Sequence, residues 1–277
     1  MSAKQKKLFC DLHPACYAIS VQKEIHKRHL KDFIGKDKIA KEKNKELLPN
    51  VVSEKSSNMI KRAPGVNLTH QLNKAVNINL AGSKIDGIVI HPGEVFSFWK
   101  TVGKCGKKQG YKEGRVIQRN RLVSGTGGGL CNLGNTVHLL ILHSPLEVTE
   151  FHQHSDALAP DEGKRVPFSA GTSIRYNYID YRFKNTTDQD VRLHIWCEGE
   201  TLNAELRSEK EFPYRYELVE EDHHFRKEDE KFYRNSKIYR NVIDKATDKV
   251  IDKQLVLDNH SEVMFDYDLI PKELIRE

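Results

Sequence analysis

Apolar positions recur along this chain with two different periods. Leu72, Val76 and Leu80 lie four apart and predict a helix over 68–80, with Gly82 as its stop. The run 85–90 reads as a strand and His91-Pro92-Gly93-Glu94 as a turn, followed by a second apolar strand or short helix over 95–99. Leu133, Val137 and Leu140 again have helical spacing, and Ser144-Pro145 closes that run. From 146 to 154 the pattern alternates, placing Leu146, Val148, Glu150, His152 and His154 on one strand face. Further strands are expected over 174–183 and 191–197, and a hairpin turning at Lys245-Ala246-Thr247-Asp248.

Before all of these, residues 1–62 read as a helical, highly charged leader. In it Ile19, Ile25 and Leu30 lie among lysines and arginines, and 36–45 is a solvated helix or linker. Pro64-Gly65 marks its end. The expected class is α+β: N-terminal helices, a central helix packed on an antiparallel sheet, and a C-terminal β-hairpin appendage. The divisions fall at 1–62, 63–210 and 211–277.

Charged residues make up 30% of the 277, but 38% are hydrophobic, enough for a core and too many for global disorder. The net charge of +6 favours acidic partners: anionic cell-wall precursors, a membrane surface or nucleic acid. No zinc-finger, RNA-recognition or helix-turn-helix signature is present, so no nucleic-acid partner is expected. No apolar stretch reaches the length of a membrane span, and Asp11, His13 and Pro14 break the N-terminal pieces that a secretory signal would need. Five scattered cysteines do not read as a disulfide framework. A cytoplasmic location is the expectation.

The candidate chemistry centres on Ser124-Gly125-Thr126-Gly127-Gly128-Gly129-Leu130-Cys131-Asn132. A cysteine at a helix N-terminus is drawn toward the thiolate by unpaired N–H groups and the helix dipole. Gly127, Gly128 and Gly129 leave no side chains over the sulfur. A nucleophilic thiol needs a base and a group that orients it. His154, at the strand end, is preferred over His152 as base, and Asp180 is the orienter. Backbone N–H groups of Cys131 and Asn132 would bind an oxyanion. Lys164 and Arg165, in the loop after the histidines, would pair with a substrate carboxylate.

Two other readings compete. Cys131 is a bystander and the glycine loop binds an anion, or His152-x-His154-x-Asp156 holds zinc for a hydrolase. The second motif is weak by itself, as is Cys10-x-x-His13-x-x-Cys16, so no metal or cofactor is expected. Phe96, Phe98, Trp99 and Tyr111 are core or pocket wall.

At several of these points the chain resembles the VanW family. The resemblance runs through Pro92-Gly93-Glu94-Val95-Phe96-Ser97-Phe98-Trp99, Gly110-Tyr111-Lys112-Glu113-Gly114 and Gly127-Gly128-Gly129-Leu130-Cys131. It continues through His143-Ser144-Pro145-Leu146, His152-x-His154-Ser155 and Tyr178-Ile179-Asp180-x-x-Phe183-Lys184-Asn185. It covers about residues 65 to 205. Many members carry Gln where this chain has Asn132, which shortens the reach of that amide. The resemblance implies a setting in glycopeptide resistance and cell-wall peptide metabolism. Within it, the expected activity is a thiol-dependent hydrolase or acyl transfer on a small molecule or peptide, for which a cell-wall precursor is the candidate. The alternative is non-catalytic binding of an anionic precursor.

Overall fold

A computed structural model describes residues 8–62, 66–118, 121–153, 157, 160–161 and 172–276. Two N-terminal helices, α1 (Phe9–Leu12) and α2 (Pro14–Ile34), meet at His13, whose ring nitrogen accepts from the Ala15 N–H and caps α2. The charged stretch that follows is extended. Ile39 and Lys43 bridge to Val95 and Ile88, and β1 (Asn50–Asn58) pairs antiparallel with β9 (Thr201–Ser208). The leader, expected to be helical throughout, therefore supplies an edge strand of the main sheet, and its 36–45 run, expected as a solvated helix or linker, is bridged to the body of the fold. The reason lies in the alternation of β1, which buries Ser53 and joins its hydroxyl to the Leu140 carbonyl at 2.9 Å.

Helix α3 (Leu68–Ile85) runs past Gly82, the expected stop. Gly82 is buried, and a Cβ there would lie 3.1 Å from Ile195. The helix also presents a different face from the one its apolar spacing suggests. Leu68, Leu72 and Val76 are exposed, while Gln71, Asn77, Ile78, Ala81 and Ile85 face inward. Polar Asn77 is tolerated inside because its side chain is satisfied. It donates to the Gly128 and Lys112 carbonyls at 2.9 and 3.1 Å and accepts from the Lys112 N–H at 2.8 Å.

Only Val89–Ile90 (β2) of the expected 85–90 strand is extended, since Ile85 ends α3. After the His91–Glu94 turn come β3 (Val95–Ser97) and then α4 (Phe98–Val102), so this run is strand and helix in turn. Ser97 caps α4. A hairpin of β4 (Glu113–Gln118) and β5 (Arg121–Thr126) leads through the glycine turn into α5 (Leu130–Leu142). Leu133, Val137 and Leu140 are fully buried there, and most of the helix surface is covered, which suits a central core helix.

β6 (Glu147–Glu150) and β7 (Arg182–Lys184) complete a three-stranded sheet in the order β3-β7-β6. β8 (Val191–Glu198) and β9 make the four-stranded sheet β1-β9-β8-β2, against which α3 and α5 pack. The C-terminal part is a meander of long strands, β10 (Tyr214–Glu228), β11 (Lys231–Asp244) and β12 (Lys249–Glu262). A short β13 (Ile275–Arg276) lies parallel to β10. Its 245–248 turn stands where the sequence puts it, with Asp248 in the left-handed region. The fold is α+β.

Candidate functional site

Cys131 lies in the first turn of α5, and two glycines place it there. Gly128 is pressed against the hairpin: a Cβ would come within 2.3 Å of the Gly114 carbonyl carbon. Gly129 has φ +91°, and its Cβ would meet the Lys74 side chain at 2.1 Å. Both glycines are thus required by the chain's own packing against α3 and β4. Gly127 faces Cys105. The opening of the sulfur to substrate, expected from these glycines, is not what demands them.

A cleft of about 350 Å³ lies beside Cys131. Its walls include Arg115, Arg175, Trp99, Tyr17, Tyr176 and Tyr178. Among the described residues, no Asp, Glu or His lines it. Trp99 is held by its indole N–H, which donates to the Ile179 carbonyl at 2.9 Å. Residues 175–179, expected as part of a long strand, form a tight turn closed by the Arg175–Ile179 bridge. That turn brings Arg175, Tyr176 and Tyr178 to one cleft, where strand alternation would have parted them. Positive charge is concentrated nearby: burial and the Arg115 charge together lower the Lys74 pKa.

Burial pushes the Cys131 pKa up, against the opposing effects of the Ile174 N–H, the Arg175 charge and its own N–H. The sequence leads one to expect the reverse. What outweighs the helix end is the crossing segment 172–174: a Cβ on Gly134, in the next turn of α5, would lie 3.3 Å from Ile174.

Of the expected partners, His154, Lys164 and Arg165 lie outside the described residues, as does Asp156 of the metal motif. His152 is half-buried, bonds to Glu150 at 2.9 Å and is not part of the cleft wall. Asp180 is fully buried. Its carboxylate accepts from the Ser97 hydroxyl (2.6 Å), the Trp99 and Tyr181 N–H groups (3.0 Å each) and Arg182 Nε (2.8 Å). These bonds secure the start of α4 and the base of β7. Asn132 turns its amide to Ser57 on β1, and its N–H donates to the Gly129 carbonyl at 3.1 Å. Among the described residues no group of three or more His, Cys, Asp or Glu is arranged to hold a metal ion. No described helix is long and apolar enough to cross a membrane.

Residues 73–207, from α3 to the end of β9, match the family model described as VanW like protein. Over 218 residues the chain is 25% identical to the vancomycin B-type resistance protein VanW of Enterococcus faecalis, covering 79% of each chain. The segment 73–207 is VanW-like. The VanW-like segment holds the cleft's thiol, both arginines and Trp99, and leaves α1, α2, β1 and the C-terminal meander outside. A second relative, the uncharacterized protein YoaR of Bacillus subtilis, is 27% identical over 132 residues, which is 48% of this chain and 42% of that one. No solved structure matches the chain.

Arg115, Arg175 and the tyrosines of the cleft escape the sequence reading. Arg115 sits in a run to which the apolar pattern assigns no element, and the 174–183 run looks like a strand. The one signal was the dense Arg-Tyr-Asn-Tyr order at 175–178.

Proposed function

We propose that this VanW-like chain acts in resistance to glycopeptide antibiotics by binding a carboxylate-bearing peptide of the cell-wall precursor class in the Cys131 cleft. One observation carries this reading: two arginines and four aromatic rings converge on a cleft in whose described walls there is no carboxylate. Arginine pairs with a carboxylate through two parallel N–H bonds, and tyrosine and tryptophan cover the apolar parts of a peptide at small entropic cost. The setting comes from the relative's name.

Titration calorimetry with a short peptide bearing a free C-terminal carboxylate, and with its amide, tests this. The free acid binds and the amide does not. Arg175→Gln weakens the free acid by about tenfold or more, the worth of one hydrogen bond to a charged group. Equal binding of acid and amide, or no effect of either Arg115→Gln or Arg175→Gln, refutes the proposal.

A second reading rests on the Cys131 sulfur in the cleft wall beside the Ile174 N–H. In it Cys131 attacks a peptide carbonyl, His154 takes the thiol proton and passes it to the departing amine as the C–N bond breaks, and the acyl-enzyme left behind is hydrolysed by water. Mass spectrometry after incubation with an activated peptide ester separates the two readings. An acyl adduct on Cys131 that His154→Ala abolishes supports thiol chemistry; an unmodified protein supports binding.

A further inference from the structure

Helix α2 is amphipathic in the opposite sense from a helix that rests on a core. Its inward face carries Tyr17, Val21, Arg28 and Asp32, separated by four, seven and four residues. Tyr17 and Val21 line the Cys131 cleft, and the other two form ion pairs: Arg28 with Glu150, and Asp32 with Arg182 and Lys100. Its outward face carries Ile19, Leu30, Phe33 and Ile34, with Phe33 88% and Ile34 71% exposed. Phe9 and Leu12 on α1 are exposed as well. Lys23, Lys27 and Lys31 are interleaved among these apolar positions and are also exposed.

The charge of the chain has the same address. Residues 1–50 hold twelve Lys and Arg against six Asp and Glu, an excess of six, while the remainder is balanced at thirty-three of each. The whole net charge of +6 therefore belongs to the segment that carries the apolar face.

We propose that the outward face of α2 docks this protein on an anionic lipid bilayer surface. The helix lies in the plane of the interface, with Leu30, Phe33 and Ile34 among the acyl chains and the lysines on lipid phosphates. Charge selects this occupant. A second copy would bring two segments of the same sign together. The inward face of the same helix forms part of the cleft wall, so docking holds the cleft about one helix diameter, roughly 10–12 Å, from the lipid. The inference does not depend on what the cleft binds, and its test does not use the cleft.

The test is flotation of the full chain with vesicles of phosphatidylcholine alone and of mixed phosphatidylcholine and phosphatidylglycerol, at low and high salt. The protein floats with the anionic vesicles and salt reduces the bound fraction. The pair Leu30→Ser and Phe33→Ser lowers the partition coefficient by about tenfold or more, from the lost transfer of two large side chains. Lys23→Glu with Lys27→Glu lowers it by about 25-fold or more, near a factor of five for each lysine lost at such a surface. Far-UV circular dichroism of each variant matches that of the parent. In Phe33→Trp, which keeps the apolar surface, the emission of the new indole shifts to the blue when anionic vesicles are added. Absence of flotation, equal flotation with neutral vesicles, or unchanged partition of both double variants overturns the proposal. So does light scattering that shows a dimer which Phe33→Ser dissociates, since the face is then an interface between copies.

Discussion

Replacing Arg28 by Met should detach α2 from the body of the protein. The Arg28 guanidinium is 7% exposed and grips both oxygens of Glu150, itself 12% exposed; Nη1 reaches Oε2 at 2.7 Å and Nη2 bonds to Oε1. Nη2 also donates to the Tyr178 carbonyl at 3.2 Å, so the same side chain steadies the turn that lines the cleft. Burial alone would raise the Glu150 pKa. Hydrogen bonds from Arg28 and His152, with the charges of Arg28 and Arg182, instead hold it at about 2 against an ordinary 4.5. Each pH unit of that gap is worth about 1.36 kcal/mol, so the arrangement around Glu150 contributes roughly 3 kcal/mol at neutral pH. Breaking a buried pair on one side costs about 3–5 kcal/mol. Because His152 and Arg182 still face Glu150 in the variant, the loss expected is about 3 kcal/mol.

Urea unfolding at neutral pH measures this as a lower midpoint at unchanged slope. Acid supplies the second readout. The folded-state pKa is depressed, so the contribution of Glu150 is complete above pH 4.5 and is lost as pH falls toward 2. In Arg28→Met that acid-dependent loss shrinks, because the Glu150 pKa moves back toward 4.5. Adding Glu150→Gln recovers part of the deficit, since no buried charge is then stranded. An Arg28→Met protein with parental midpoint and parental acid profile refutes the reasoning.

Three further outcomes follow from the same geometry. Burial holds the His138 pKa at about 3, far below its ordinary 6.5, so the unfolded chain takes up the proton first. Its contribution is complete above pH 6.5 and is lost as pH falls toward 3. The deficit is about 2 kcal/mol at pH 5, and His138→Gln, which does not titrate, should flatten the stability curve there; parallel curves would refute the assignment. Gly128→Ala should cost at least about 3 kcal/mol, or prevent folding, because its Cβ meets backbone at 2.3 Å. Gly93→Ala, at φ +80° with nothing within 4 Å, should cost only about 1–2 kcal/mol, and equal thermal shifts for the two would show that packing is not the cause. Iodoacetamide should label Cys131 slowly at neutral pH and faster only above the ordinary thiol pKa, because burial raises it. Fast labelling at pH 6, followed by peptide mapping, would refute this and favour the thiol reading.

The long periodic segments were legible in the sequence because their signal is local. Leu133, Val137 and Leu140 mark α5, and the start of that helix at Gly129–Cys131 follows from glycine backbone preferences alone. What could not be read depends on partners far along the chain. Asn77 is inside because the groups facing it are the carbonyls of Gly128 and Lys112, Gln71 because it accepts from the Lys61 N–H, and Leu72 is left outside. The strand character of 50–58 is hidden by its serines, Glu54 and Lys55, and only pairing with β9 makes it extended. Asp180 has the residue type of a catalytic orienter, but its surroundings are four donors from the β3–α4 junction and the start of β7, and no sequence pattern states that. The arginines of the cleft come from a hairpin and a turn sixty residues apart, and their meeting is a property of topology.

The orientation of α2 shows how specificity and binding energy are divided. Nonpolar burial would turn its Leu30 and Phe33 face inward, yet the groove beneath is charged, with Glu150, Arg182 and Lys100 all engaged by the helix. Half a revolution would set apolar side chains on charges, which returns little of their transfer energy. It would also strand Glu150 and Arg182, at about 3–5 kcal/mol for each broken pair. The directional ion pairs therefore fix the rotation of the helix. With Arg28 and Asp32 committed to the core, the apolar stripe finds no partner among the described residues, and the lysines beside it set the sign of what can cover it. An apolar anchor in place of the ion pairs would hold the helix as tightly but would leave its two faces equivalent. Replacing Arg28 and Glu150 together by Met and Leu should accordingly preserve stability while weakening vesicle binding, as a fraction of the helices turns its outer stripe inward. Parental flotation by that double variant would show that the Arg28–Glu150 pair does not set the rotation.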